Sequence, residues 1–168
     1  MSEAGLISLC SAFPNLETLV LAHGKYTDEA VAHVGRLKKL KGLEIGSTSA
    51  TPACLKSIVG LPLEYLQIGS EFDHSTAVPI IREIQTLRRL SLTYCVKLTD
   101  DDLRLVAAMK YLESLELGNL ELNEERLPLL KNFAHLKMLR VTNPRKPYDE
   151  ATRAAVQAAL PGVAITFQ

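Results

Sequence analysis

At 168 residues the chain is long enough for one domain with a substantial core, and hydrophobic side chains make up 47% of it. Nineteen basic residues cancel nineteen acidic ones, which argues against a general affinity for nucleic acid or for an anionic membrane. No stretch reaches 18 apolar residues and no charged segment leads into a long apolar core at the start, so neither a membrane span nor a secretion signal is expected.

Aromatic residues are only 5% of the chain and tryptophan is absent, so leucine, isoleucine, valine and alanine must build the interior. That composition suits a fold of stacked, near-identical layers. The cysteines Cys10, Cys54 and Cys95 are odd in number and far apart. They form neither a disulfide framework nor a C-x-x-C metal pair, and a reducing, cytoplasmic setting is expected.

In chain order, Ser2-Glu3-Ala4-Gly5-Leu6 reads as the cap and first turn of a helix, with Leu6, Leu9 and Phe13 as its apolar stripe. Residues 1–15 thus form a half-repeat without a preceding strand, either an N-terminal cap or the cut end of a longer array. From Leu16 the pattern Leu-x-x-Leu-x-Leu recurs at Leu40, Leu63, Leu87, Leu112 and Leu136, in steps of 24, 23, 24, 25 and 24 residues. A further step of 24 reaches Leu160, where Val163 and Ile165 complete it. Regular spacing of this kind is the mark of a solenoid. Its clearest copy runs from Leu87 to Leu117.

Within each copy the fourth and sixth places are apolar (Leu19 and Leu21, Leu43 and Ile45, Leu66 and Ile68, Leu90 and Leu92, Leu115 and Leu117, Leu139 and Val141). Alternation sends these inward and the third and fifth places outward, as a strand buried on one face requires. Eleven to thirteen residues after each first leucine stands a cap residue: Thr27, Thr51, Ser75, Thr99, Asn123 or Asp149. Acidic residues follow in several copies (Asp28 and Glu29, Asp100 to Asp102, Glu124 and Glu125), where they suit the positive end of a helix. A helical stripe then faces the strands: Val31, Val34 and Leu37; Leu55, Ile58 and Leu61; Val78, Ile81 and Ile84; Leu103, Val106 and Met109; Leu127, Leu130 and Phe133. Pro79 and Pro128 predict that their two segments start late or with a 3₁₀ turn. Residues 16–148 form the central repeats. Residues 149–168 close the chain with an alanine-rich helix and an edge strand ending in Phe167.

These repeats resemble the leucine-rich repeat family, nearest to its cysteine-containing and ribonuclease-inhibitor-like subtype. Leu98-Thr99-Asp100-Asp101-Asp102-Leu103, preceded by Cys95, is the closest match, and Tyr26-Thr27-Asp28-Glu29-Ala30-Val31 the next. Such repeats occur in F-box ubiquitin-ligase subunits and in many bacterial proteins. The resemblance implies one α/β domain over residues 1–168. It would be a curved solenoid of six to seven repeats, with a parallel sheet on the concave face and helices on the convex face. The function it implies is a non-catalytic protein-interaction module. The alternative is the substrate-receptor or regulatory arm of a larger enzyme assembly.

On such a surface the large outward groups are the candidate contacts. Tyr65, Arg89, Tyr94, Glu116, Met138 and Arg140 project among neighbours that are mostly small, and Tyr and Arg are enriched at binding hot spots. The second places run Glu17, Lys41, Glu64, Arg88, Glu113, Lys137 in strictly alternating sign, which reads as a structural ladder between strands. Catalysis finds no support. His23, His33, His74 and His135 fall at different repeat positions, and the neighbouring pair His23 and Ser47 lacks a third group. No metal or cofactor is expected, and the Arg145-Lys146 loop reads as solvated. The expected partner is another protein, met by a monomer.

Overall fold

A computed structural model of the chain describes residues 1–123 and 125–168. Glu124, one of the acids expected after Asn123, lies outside the described residues.

Among the described residues there are seven strands, β1 (Thr18–Ala22), β2 (Gly42–Gly46), β3 (Tyr65–Ile68), β4 (Arg89–Leu92), β5 (Ser114–Gly118), β6 (Met138–Thr142) and β7 (Ala164–Phe167). They form one sheet in the order of the chain, every pair parallel. Each strand is only four or five residues long, because only the fourth and sixth places have a core to face. Those places stack in register: Leu19, Leu43, Leu66, Leu90, Leu115 and Leu139 form one row and Leu21, Ile45, Ile68, Leu92, Leu117 and Val141 the next. All twelve are buried. No single repeat has enough apolar surface to close its own core, so each is stabilised by its neighbours.

The convex side is made of α1 (Glu3–Ala12), α2 (Asp28–Ala32), α3 (His74–Ile81), α4 (Asp100–Ala107), α5 (Leu127–Leu130) and α6 (Glu150–Ala159), with 3₁₀ turns at His33–Arg36, Pro52–Ser57, Cys95–Lys97 and Lys131–Phe133. Their starts follow from their side chains. Ser2, Thr27, Thr51 and Asp149 each accept from a backbone N–H of the following turn. Thr99 and Asp102 complete a reciprocal capping box. From α2 to the 3₁₀ turn at Lys131–Phe133 the helical stripe is buried except for half-buried Leu127.

Four local expectations are corrected. Asp73, not Ser75, precedes the first turn of α3; its carboxylate takes the Thr76 hydroxyl (2.7 Å), and Ser75 instead donates to Asp102 of the next repeat. The stripe of α1 continues through Cys10, which is buried, while Phe13 sits at the helix end, 61% exposed. Pro79 does not delay α3, which begins five residues before it and ends two after. Only Pro128 conforms, since α5 starts one residue before it, well past Asn123.

The fourth correction concerns the last strand. Leu139 pairs with Ile165 and Val141 with Phe167, so β7 enters two residues later than the step from Leu136 to Leu160 predicts. The ten-residue α6 and the Pro161-Gly162 turn take up the extra length. Leu160 and Val163 are still buried, but in the turn leading into the strand. A shift of two preserves which side chains face inward. Phe167 accordingly meets Tyr148 edge to face, with ring centroids 5.9 Å apart.

Side chains also reach across one repeat to the next. Arg126 donates to Asp100 (2.8 Å) and to the Leu98 carbonyl (2.8 Å), and the Tyr148 hydroxyl donates to the Leu120 carbonyl (2.6 Å). Glu71 accepts from the Thr48 N–H, and Asp28 from both the N–H and the hydroxyl of Thr51. The alternating charge column is partly an ion ladder: Lys41 meets Glu17 (3.1 Å) and Lys137 meets Glu113 (2.8 Å). Arg88 turns instead to the carbonyls of Gln85 and Leu87.

Candidate protein-binding face

Register fixes the outward face as two rows. The third places run Thr18, Gly42, Tyr65, Arg89, Ser114, Met138 and Ala164, and the fifth places Val20, Glu44, Gln67, Ser91, Glu116, Arg140 and Thr166. Across β3 to β6 the large members of both rows surround the small floor residues Ser91 and Ser114. The result is a hollow of about 470 Å³. It brings together Tyr65, Arg89, Glu116, Met138 and Arg140, five of the six candidate residues, with Glu113 and Lys137 at one edge.

The Tyr65, Arg89 and Glu116 walls are each held by a neighbour. The Arg89 guanidinium lies over the Tyr65 ring, 5.1 Å from its centroid, a cation–π contact. The Tyr65 hydroxyl donates to Gln67 Oε1 (3.0 Å). Burial pushes the Tyr65 phenol above its ordinary pKa; Glu44 and Glu116 add to the rise and Arg89 opposes it. Ser91, fully covered, donates to Glu116 Oε2 (3.3 Å). Lys137 bonds Glu113 and holds that carboxyl below the usual range. Among the described residues, neither Arg89 nor Arg140 takes part in an ion pair. Met138 is 44% exposed and forms an apolar wall of the hollow.

Tyr94 stands apart, on the rim where the strands end. There His23, Ser47, Tyr94 and Asn119 occupy one repeat position and all have left-handed backbones, with φ between 53 and 61°. This turn redirects the chain from the sheet towards the convex side. Asn, His and Ser accept such a backbone more readily than a bulky aromatic residue does. Tyr94 nonetheless holds it with a side chain 53% exposed, and Val96 beside it is 71% exposed. Cys95 between them is buried and donates its thiol to the Leu92 carbonyl (2.8 Å), anchoring the turn. Tyr94 separates two shallow troughs, of about 240 Å³ towards His23 and about 330 Å³ towards Asn119, and Glu116 lines the second.

Sequence reasoning missed the left-handed strain at Tyr94, the exposure of Val96, and the place of Glu113 and Lys137 at the edge of the hollow. The shared position of His23, Ser47 and Asn119 was the available signal for the first. No comparable signal marks Val96. Among the described residues, no three His, Cys, Asp or Glu side chains gather where they could hold a metal ion. The thiols offer no reactive group either, since burial pushes Cys54 and Cys95 up to about 12.

No family model matches the sequence, and no curated protein matches it. By structure the chain is similar to internalin C2 from Listeria monocytogenes, with 23% identity and a TM-score of 0.56 over 94% of this chain and 63% of that one. It is also similar to human 5T4, the Wnt-activated inhibitory factor 1 or trophoblast glycoprotein, with 19% identity and a TM-score of 0.53 over 91% of this chain and 69% of that one. The chain thus spans less than two thirds of the length of the internalin. Both are leucine-rich repeat proteins. The shared architecture is an α/β leucine-rich repeat solenoid with a single parallel sheet.

Proposed function

We propose that the chain is a non-catalytic protein-interaction module that receives its partner on the concave face, over β3 to β6. The observation that carries this reading is the hollow bounded by Tyr65, Arg89, Glu116, Met138 and Arg140. The cation–π contact and the Ser91–Glu116 hydrogen bond fix Tyr65, Arg89 and Glu116, so these three side chains lose little freedom when a partner arrives. A floor of two serines leaves room for an inserted side chain. Tyr94 extends the surface to the rim. Structural likeness to an internalin and to 5T4 supports the coarser part of this reading, a general protein-binding role.

The module is proposed to act as a monomer, in a reducing compartment that suits three free, buried thiols. The test is affinity capture from the source cell, comparing the unchanged chain with a Tyr65→Ala, Arg89→Ala, Tyr94→Ala triple variant and with convex-face Arg104→Ala. A partner lost by the triple variant and kept by Arg104→Ala is the expected result. Equal recovery by all three chains moves the binding site off the concave face.

A further inference from the structure

Building on that reading of the concave face, we infer that the hollow selects a protein segment carrying a carboxylate beside an apolar side chain, the carboxylate meeting Arg89 and Arg140 and the apolar group meeting Met138.

Charge bookkeeping within the site carries this. Lys137 is neutralised by Glu113 at 2.8 Å. Glu116 stands opposite Arg140 in the register, yet its carboxylate accepts from the Ser91 hydroxyl and makes no ion pair with that guanidinium. Two guanidinium groups therefore face the hollow without a carboxylate of their own among the described residues. By contrast, the trough towards His23 is lined by Glu44 and Glu71 with no lysine or arginine. The hollow over β4 to β6 is thus net basic, with Arg89, Lys137 and Arg140 against Glu113 and Glu116, while the trough towards His23 holds only carboxylates among its charged groups.

Geometry narrows the ligand. Adjacent parallel strands lie about 4.8 Å apart and residues two apart on one strand lie about 6.6 Å apart. Arg89 and Arg140 therefore sit diagonally across β5, with Ser114 between Arg89 and Met138 in the third row. A side chain entering over Ser114 has Arg89 on one flank and the Met138 thioether on the other. Arg89 lies against the Tyr65 ring, which holds the planar fork ready for two parallel hydrogen bonds to one carboxylate. A basic or purely apolar segment would leave both guanidinium groups unpaired on burial, a costly outcome.

The experiment is selection of a random dodecapeptide display library on the intact chain. Selected clones are then measured as synthetic peptides against Arg89→Met, Arg140→Met and Ser114→Tyr, each variant first shown to melt cooperatively. Enrichment of Asp or Glu next to an apolar residue is expected. Each Arg→Met change should weaken binding at least about tenfold, as should replacing the peptide's Asp or Glu by Asn or Gln. A lack of enriched clones overturns the inference. So does a phosphoserine version that binds at least tenfold more tightly than the Glu version, which would make the ligand a phosphate. Clones blocked by Ser114→Tyr but indifferent to both Arg→Met changes overturn the acidic chemistry and leave the concave site standing. Clones indifferent to all three variants overturn both.

Discussion

Gly69 lies so close to Gly46 that a Cβ built on it would fall 2.8 Å from the Gly46 Cα and 2.5 Å from a Glu71 oxygen. Adjacent repeats meet backbone to backbone here, and Glu71 folds over the contact to accept the Thr48 N–H. Gly69→Ala is expected to destabilise the chain by about 1–3 kcal/mol through overpacking. Gly60→Ala, where a Cβ meets nothing within 4 Å, is the matched control and should leave the urea midpoint essentially unchanged.

Leu90 and Leu115 are register partners at the centre of the leucine row, and both are buried. Replacing either by alanine removes apolar contacts on two sides and leaves a void that the stacked backbones cannot close. A loss of about 2–5 kcal/mol is expected from urea unfolding. Ile165 occupies the same row on the half-buried last strand, and its alanine variant should cost distinctly less.

Tyr94 shares a left-handed backbone with His23, Ser47 and Asn119, and as the bulky aromatic member it carries the most strain. Asparagine tolerates the left-handed backbone, so Tyr94→Asn is expected to raise stability by about 0.5–1.5 kcal/mol while weakening partner capture. Calorimetry and binding should therefore move in opposite directions. A variant less stable than the parent would show that the ring contributes more through packing than the backbone costs.

The three thiols are expected to be silent in the folded state. Burial pushes Cys54 and Cys95 up to about 12 and also raises Cys10, so almost no thiolate is present at neutral pH. A colorimetric disulfide reagent should label none of them in the native chain within minutes and all three in denaturant. Labelling of the native chain at a rate linear in reagent concentration would contradict the packing around them.

His74 is 2% exposed, its Nε2 has no hydrogen-bond partner among the described residues, and burial lowers its pKa against the opposing pull of Asp102 and Asp73. The unfolded chain therefore takes up this proton first as pH falls. Stability from His74 is complete above the unfolded value near 6.5 and is lost as pH drops from there through the lower folded value. The slope should not exceed about 1.4 kcal/mol per pH unit. It should flatten in a His74→Gln variant when urea midpoints are followed between pH 7 and pH 5.

Much of this architecture was legible because leucine placement obeys the sheet. A step near 24 residues sets which strands pair, and the pairing then dictates that Tyr65, Arg89, Ser114 and Met138 share a row. The hollow follows from that row and the next, so five of its residues were readable as candidates. Where the reading failed, two residues satisfied the same rule. Leu160 and Val163 are buried and imitate a strand, but α6 runs long enough to delay pairing to Ile165. Asp73 and Ser75 both carry acceptors two residues apart, and only the backbone path decides between them. The strain at Tyr94 had no signature of its own type, because tyrosine is not a residue that announces a left-handed turn.

The strand order, which follows the chain strand by strand, also determines how the molecule answers a pulling force. Tension applied between Met1 and Gln168 acts across the sheet, along the inter-strand hydrogen bonds, and opens each ladder one bond at a time instead of shearing the whole row. Every ladder that opens frees a segment of about 24 residues, roughly 80 Å of extended chain, before the next is loaded. The solenoid is therefore expected to extend softly and in steps under load.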